Sequence, residues 1–506
     1  MQKKLFIVSL LYICIGLLNL ITVGSEAIFY LSIIVGAAAA LATLIRILRY
    51  PQKISVFSLF TLSVLSGYML GPIVAVIYYF AIHRYAPKLL VGPFAFAGYN
   101  NTLSYALASA YVVAGLLNMA DSASKPAFHL SWNTPHKSYD LPDKLFLLIM
   151  SFIVFAALFA GDFGYMGVIS NSQDQITVLG GLAGLILPAL IPLLTYLLTK
   201  QYMSGQLSWF YVVLLILLTL ILIVTGRREL LFVAIISIIY ITYAAPGIRR
   251  VFIIRKVLMN PRRLFVIMAI FTFVFLGFYG FYSIRVAKSQ LGHSRQLSID
   301  IAQAARIIGN GRRSFYSLAS DEAMARPGTL IGYLGSLQGS SIKGYLYGQC
   351  DLSSIINSIP SAILSNKRTL LRKYPCTDEY INSRFNLPQI DSPTTLLTKG
   401  YADYGVVGML LYPVIFAALL SGFLALIKRS NWRLFDLFCL AAVFNAAIFV
   451  EQGITFYIVT IRNIIIIWLI AISIRAMIKL ISSNSAVALH ANRQHYNYNN
   501  NKRLDG

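Results

Sequence analysis

Two adjacent arginines, Arg227 and Arg228, stand in the connection Thr225-Gly226-Arg227-Arg228-Glu229 between two apolar runs. A turn this tight holds both guanidinium groups at the edge of a membrane. It also sets them beside the N-terminal end of the following helix, whose free N–H groups and dipole favour an anion. A diphosphate suits that chemistry; the alternative is an arginine pair snorkelling to lipid headgroups. Arg462 is the one Lys or Arg well inside an apolar run, about eight residues or ~12 Å from its end. A charge so placed is costly, and is either functional or paired with another helix. Glu451 precedes the same run at ~16 Å of axial rise, too far to be an automatic partner.

Carboxylates near the same level offer general-base or sugar-binding chemistry. Asp391 opens Asp391-Ser392-Pro393-Thr394-Thr395, which reads as a helix start with an Asp or Ser cap and proline in the first turn. Capping alone accounts for Asp391. Lys399, Tyr401, Asp403 and Tyr404 follow as the chain enters an apolar run. His293 is the single histidine between residues 283 and 399, and a lone loop histidine is usually incidental. The sequence holds no phosphate-cradling Gly-rich loop, no Cys/His cluster and no Asp-x-Asp, so nucleotide hydrolysis and a metal-bound nucleotide sugar are unsupported.

The elements that must position these residues are membrane helices. Of 506 residues, 58% are hydrophobic and 12% charged, with a mean hydropathy of +0.71, far from the balance of soluble domains. Apolar runs long enough to span a bilayer recur at 4–22, 27–45, 55–82, 92–118, 145–161, 177–198, 207–225, 229–245, 264–283, 402–427, 434–450 and 454–477. The expected fold is therefore all-α, a polytopic integral membrane protein with about twelve spans. With the N-terminus inside, Lys3, Lys4, Arg46, Arg49, Lys53, the basic 249–263 connection, Lys428, Arg429, Arg433 and Arg475 all fall on one side. That positive-inside asymmetry puts both termini in the cytoplasm and explains part of the net charge of +24, making nucleic acid a poor partner.

The expected organisation is nine spans over 1–283, a large outer loop over 284–399, three spans over 400–480 and a disordered cytoplasmic tail over 481–506. The outer loop has an excess of basic residues that topology leaves unexplained, which suggests an anionic ligand or attraction to anionic headgroups. Leu297, Ile301, Ala305 and Ile308 read as an amphipathic helix lying on the membrane, and Ile355–Leu364 as a second helix broken by Pro360. Cys350 and Cys376 share this loop. A disulfide between them would enclose the basic run Lys367, Arg368, Arg372 and Lys373.

Three segments resemble a known family. VTGRREL (224–230) is similar to a Thr/Gly-x-Arg turn before a helix, IINSIPSAILSNKRTL (355–370) to a loop segment around a proline, and DSPTTLLTKGYADYGVVGMLLYPVIFAALLSGFL (391–424) to a Ser-Pro-Thr start of a Gly-rich span. FVEQGITFYIVTIRNIIIIWL (449–469) is a weaker echo. Together they resemble the Wzy-type polymerases of O-antigen and related polysaccharide repeat units.

The resemblance implies a GT-C-like glycosyltransferase of the bacterial inner membrane, with a large periplasmic loop and no metal or other cofactor. It implies undecaprenyl-diphosphate-linked glycans as donor and acceptor, membrane lipids as surroundings, and a chain-length regulator as a partner. Diphosphate binding then falls to Arg227, Arg228 and Arg462, with Arg285, Arg312 and Arg313 as further candidates. The base lies among Asp391, Asp403, Glu451 and His293. An O-antigen ligase would share the lipid donor and differ in its acceptor. A flippase or other transporter would call for internal repeats and polar residues along several helices, which the chain lacks.

Overall fold

The computed structural model describes residues 2–73, 99–124, 141–160, 178–205, 207–224, 229–245, 328–360, 363–389, 392–427, 432–449 and 451–478. Among them all regular structure is helical. Eight helices are long and apolar enough to cross a membrane: Lys4–Ile21, Glu26–Arg49, Val56–Ile73, Asn101–Ala123, Pro142–Phe159, Val178–Met203, Leu396–Ile427 and Ile454–Ile478. In hydrocarbon each backbone N–H and C=O must be satisfied within its own segment, which is why such runs become helices. The chain is thus a membrane-embedded helical bundle. The expected spans at 207–225, 229–245 and 434–450 appear as helices of 16 residues each: Trp209–Val224, Glu229–Ala244 and Arg433–Ile448. The run at 264–283 and the expected 297–308 amphipathic helix lie outside the described residues.

The core is apolar and so is much of the exposed surface. Ile21, Phe152, Phe159, Ile216 and Val407 face outward, as a lipid-exposed surface requires. Tyr68, Tyr111, Tyr196 and Tyr240 are fully enclosed. The centre is built from Val56–Leu65, Asn101–Ala123, Val178–Met203 and Arg433–Ile448. Small residues bring helices close, as where Gly115 faces the carbonyl of Ser9 and Ile13.

Polar contacts mark two ends. At one, Gly24 N–H donates to Tyr99 Oη at 2.7 Å, Tyr68 Oη and Thr395 Oγ1 lie 2.8 Å apart, and Gly339 packs on Thr102. At the other, Arg46 pairs with Asp121 at 3.4 Å, Trp432 Nε1 donates to Asp143 at 2.7 Å, and the Arg475 guanidinium lies over the Trp432 ring. Arg46, Arg433 and Arg475 therefore share the second end.

The first end has a cap that includes helical residues 328–339 and the short helices Gln349–Ser358, Lys367–Lys373 and Asp378–Arg384. The expected Ile355–Leu364 helix is corrected to Gln349–Ser358. Its last residue falls two before Pro360, because the ring disfavours helical backbone in the residue ahead of it and lacks an N–H to donate. The helix expected to open at Asp391 or Ser392 opens instead at Leu396. Thr395 and Thr398 form a reciprocal capping box there, Thr398 N–H to Thr395 Oγ1 at 3.1 Å and Thr395 N–H to Thr398 Oγ1 at 2.8 Å. Ser392 instead accepts from Asn382 Nδ2 at 2.9 Å.

Leu396–Ile427 is not one straight rod. Tyr404 (φ −135°) and Gly405 (φ 62°) leave helical geometry, and the backbones of Gly400 and Gly408 pack against each other. Residues eight apart along a straight helix stand ~12 Å apart, so the chain turns sharply between them. Gly405 supplies the left-handed backbone the turn needs. The carbonyls freed at the break are taken up by the cap: Leu346 N–H donates to Ala402 at 3.0 Å and Tyr347 N–H to Asp403 at 2.9 Å.

Candidate functional site

Cys350 and Cys376 form a disulfide with a Cα–Cα distance of 5.0 Å. It fixes the first turn of the Gln349–Ser358 helix to the 374–377 segment, and Gln349 Nε2 adds a bond to the Pro375 carbonyl at 2.5 Å. The fixed turn then meets the broken helix. Cys350 N–H donates to Asp403 Oδ1 at 3.1 Å, and Tyr412 Oη lies 2.6 Å from Asp351 Oδ2 and 2.9 Å from Asp403 Oδ2.

A phenol has one proton and two acceptor lone pairs. The two carboxylates share that one proton, so Asp351, Tyr412 and Asp403 form a proton-sharing group. Asp403 is 0% exposed and Tyr412 6%, whereas Asp351 is half-buried and solvent can reach it. Burial pushes the Asp351 carboxyl above the ordinary carboxylate range, opposed by the Tyr412 hydrogen bond. Such a group suits proton transfer at neutral pH.

The other end of the Gln349–Ser358 helix is cationic. Lys367 Nζ donates to the Asn357 and Ile359 carbonyls at 2.7 and 2.9 Å, and Arg462 Nη1 to the Ser358 carbonyl at 2.5 Å. Cations at a helix C-terminus interact favourably with its free carbonyls and dipole. Asn463 locks the guanidinium, accepting from Nε at 3.0 Å and Nη2 at 2.8 Å, while its own Nδ2 donates to Gly181 O at 2.8 Å. Thr455 Oγ1 adds a 2.9 Å bond to Ser354 Oγ.

Lys367 is only 6% exposed. Burial, and then the neighbouring Arg462, hold its ammonium below the usual lysine range. Among the described residues neither cation has a carboxylate within 4 Å, so none of them supplies the ion pair offered as an alternative for Arg462. Two like charges held together with no counter-charge among the described residues favour an anion. Lys399 differs, since its Nζ is paired with a carboxylate, Asp378 Oδ1 at 3.4 Å, besides the Cys376 carbonyl at 3.1 Å.

Of the residues singled out in the sequence, the structure brings Asp403, Arg462, Cys350 and Cys376 around one short helix. Glu451 is half-buried at the start of the last span and is not joined to Arg462. Asp391, His293, Arg227, Arg228, Arg285, Arg312 and Arg313 lie outside the described residues. Sequence reasoning missed Asp351, Tyr412 and Lys367 as site residues. Lys367 belongs to the basic run enclosed by the disulfide and Asp351 directly follows Cys350, the only signals available for them. Comparison of the chain with models of known protein families, with curated proteins and with solved structures found no match.

Proposed function

We propose that this chain is a metal-independent membrane glycosyltransferase that polymerises undecaprenyl-diphosphate-linked oligosaccharide repeat units into O-antigen or a related surface polysaccharide. In this reading twelve spans cross the bacterial inner membrane, both termini are cytoplasmic and the helical cap faces the periplasm. The basic residues at the opposite end, Arg46, Arg433 and Arg475, support that orientation.

One observation carries the reading. The Gln349–Ser358 helix carries Asp351, joined through Tyr412 to Asp403, on its first turn, and two cations from other helices, Lys367 and Arg462, meet the carbonyls at its far end with no carboxylate within 4 Å among the described residues. Asp351 and Ser358 are seven residues apart, ~10 Å of helical rise, a span on the scale of a hexosyl diphosphate.

Lys367 and Arg462 hold the donor diphosphate, joined by Arg227 and Arg228, with Arg285, Arg312 and Arg313 in reserve. The acceptor hydroxyl oxygen forms a bond to the donor's anomeric carbon as the bond from that carbon to the phosphate oxygen breaks. The hydroxyl proton passes to Asp351, the carboxylate that solvent reaches, and undecaprenyl diphosphate leaves with the electron pair. The two cations stabilise the charge that develops on it. Asp403, fully enclosed, positions Tyr412 and through it Asp351.

Purified protein in proteoliposomes, supplied with the lipid-linked repeat unit of its host, tests this. The expected products are lipid-linked dimers and longer oligomers together with free undecaprenyl diphosphate. Unextended substrate beside folded protein contradicts the proposal.

A further inference from the structure

Beside the disulfide-bonded 374–377 segment lies a cleft of about 520 Å³, lined among others by Arg372, Pro375, Glu379, Tyr380, Ser383 and Gln389. Resting on the polymerase reading, we infer that this cleft is a glycan-binding subsite. It takes one or two uncharged sugar residues of the chain, away from the residue that reacts.

The wall of the cleft is set by bonds within it. Thr377 Oγ1 accepts from Tyr380 N–H at 3.3 Å and Ser383 Oγ donates to the Tyr380 carbonyl at 3.0 Å. The Gln389 side-chain amide donates to the Glu379 carbonyl and accepts from Ser383 N–H, each at 3.1 Å. The groups at its mouth are different. The Arg372 guanidinium, the Glu379 carboxylate and the Tyr380 hydroxyl have no hydrogen-bond or ion-pair partner among the described residues, and Arg372 and Glu379 are exposed.

A guanidinium donor, a carboxylate acceptor and a phenol that does both, set around Pro375 and an aromatic ring, match the alternating hydroxyls and apolar C–H faces of a sugar. The pairing of charges selects among ligands. Arg372 and Glu379 cancel, so the cleft lacks the net positive charge that marks the Lys367 and Arg462 site and has no preference for phosphate.

The position ties it to the same substrate. Pro375 and Thr377 of its lining belong to the 374–377 segment, joined to the Gln349–Ser358 helix by the disulfide and by the bond from Gln349 to Pro375. Cleft and proton-sharing group therefore sit on one rigid frame, and sugars of one chain can occupy both.

The test is saturation-transfer NMR and calorimetry on the full-length protein in detergent. The probe is the host's own surface glycan, released by mild acid and lacking lipid and phosphate. Saturable binding is expected, weakened about tenfold or more by Glu379→Gln and by Tyr380→Ala. Glu379→Gln alters one exposed side chain, so a loss of binding is not a loss of fold; an unshifted melting temperature checks this. No saturable binding by the wild type, or equal binding by both cleft variants, overturns the subsite while leaving the polymerase assay in proteoliposomes free to succeed. If the subsite stands and that assay fails, glycan recognition survives without polymerisation.

Discussion

Arg462, inside the last membrane span, donates from Nη1 to the carbonyl oxygen of Ser358 at 2.5 Å, joining residues 104 apart in sequence. The bond spends one face of a planar, five-donor group on the helix end, and Asn463 fixes the rest of the fork. A lysine has neither the fork nor the reach to satisfy both. Arg462→Lys is therefore expected to retain insertion and lower kcat/KM for repeat-unit transfer by about tenfold to a hundredfold, measured by single-turnover extension of a labelled acceptor.

In the proposed role Lys367 holds the donor diphosphate only while protonated. Its ammonium is held below the usual lysine range by burial and by Arg462, so it loses its proton at a lower pH than a free lysine. Donor affinity is expected to fall as pH rises through that lowered value, seen as an increase in KM with kcat little changed. Lys367→Arg moves the alkaline limb upward, and Lys367→Ala removes it and raises KM at every pH.

Asp351 must be ionised to accept a proton. Its carboxyl is raised from the ordinary carboxylate value, so activity is expected to rise with pH through an apparent value above about 4 rather than at it. The sign for stability is opposite. The folded chain keeps this proton at pH values where the unfolded chain has lost it, so Asp351 destabilises the fold as pH rises across the interval between the two values. Asp351→Asn is expected to lower kcat by about 10²–10⁴-fold and remove that acid limb, while increasing stability at neutral pH.

The Cys350–Cys376 bond closes a loop with a sequence separation of 26, and loops of this size stabilise by about 3–4 kcal/mol. Reduction, or Cys376→Ser, is expected to lower the melting temperature of the cap and to reduce transfer. The reason is that Asp403 accepts from the N–H of Cys350 itself. Thiol labelling before and after reduction, with activity read on the same samples, checks both effects.

Much of this was legible in the sequence because membranes make long-period demands. Runs of apolar residues, an arginine inside one of them and a cysteine pair in one loop are features that a string of residues displays directly. Asp351, Tyr412 and Lys367 were not, since their meaning depends on contacts across 61 positions for Tyr412 with Asp351 and on a like-charge approach for Lys367 with Arg462.

Tyr412 reads in sequence as one more aromatic residue in an apolar run, with nothing to mark the two carboxylates it meets. The break at Tyr404 and Gly405 was hidden for a related reason. A glycine in a membrane helix is ordinary, and only the packing of Gly400 on Gly408 shows that the chain turns there. The start at Leu396 was missed because Asp391-Ser392-Pro393 satisfies the local rules for a cap that Thr395 and Thr398 satisfy better.

The most direct test is a gel of surface polysaccharide from the native host lacking this gene, restored with the wild type or with Arg462→Ala. The account predicts lipid A core bearing a single repeat unit in the deletion strain, and a full ladder returned by the wild type but not by the variant. Loss of even the single-unit species would point to flipping or ligation instead, and a ladder unchanged by the deletion would contradict polymerisation outright.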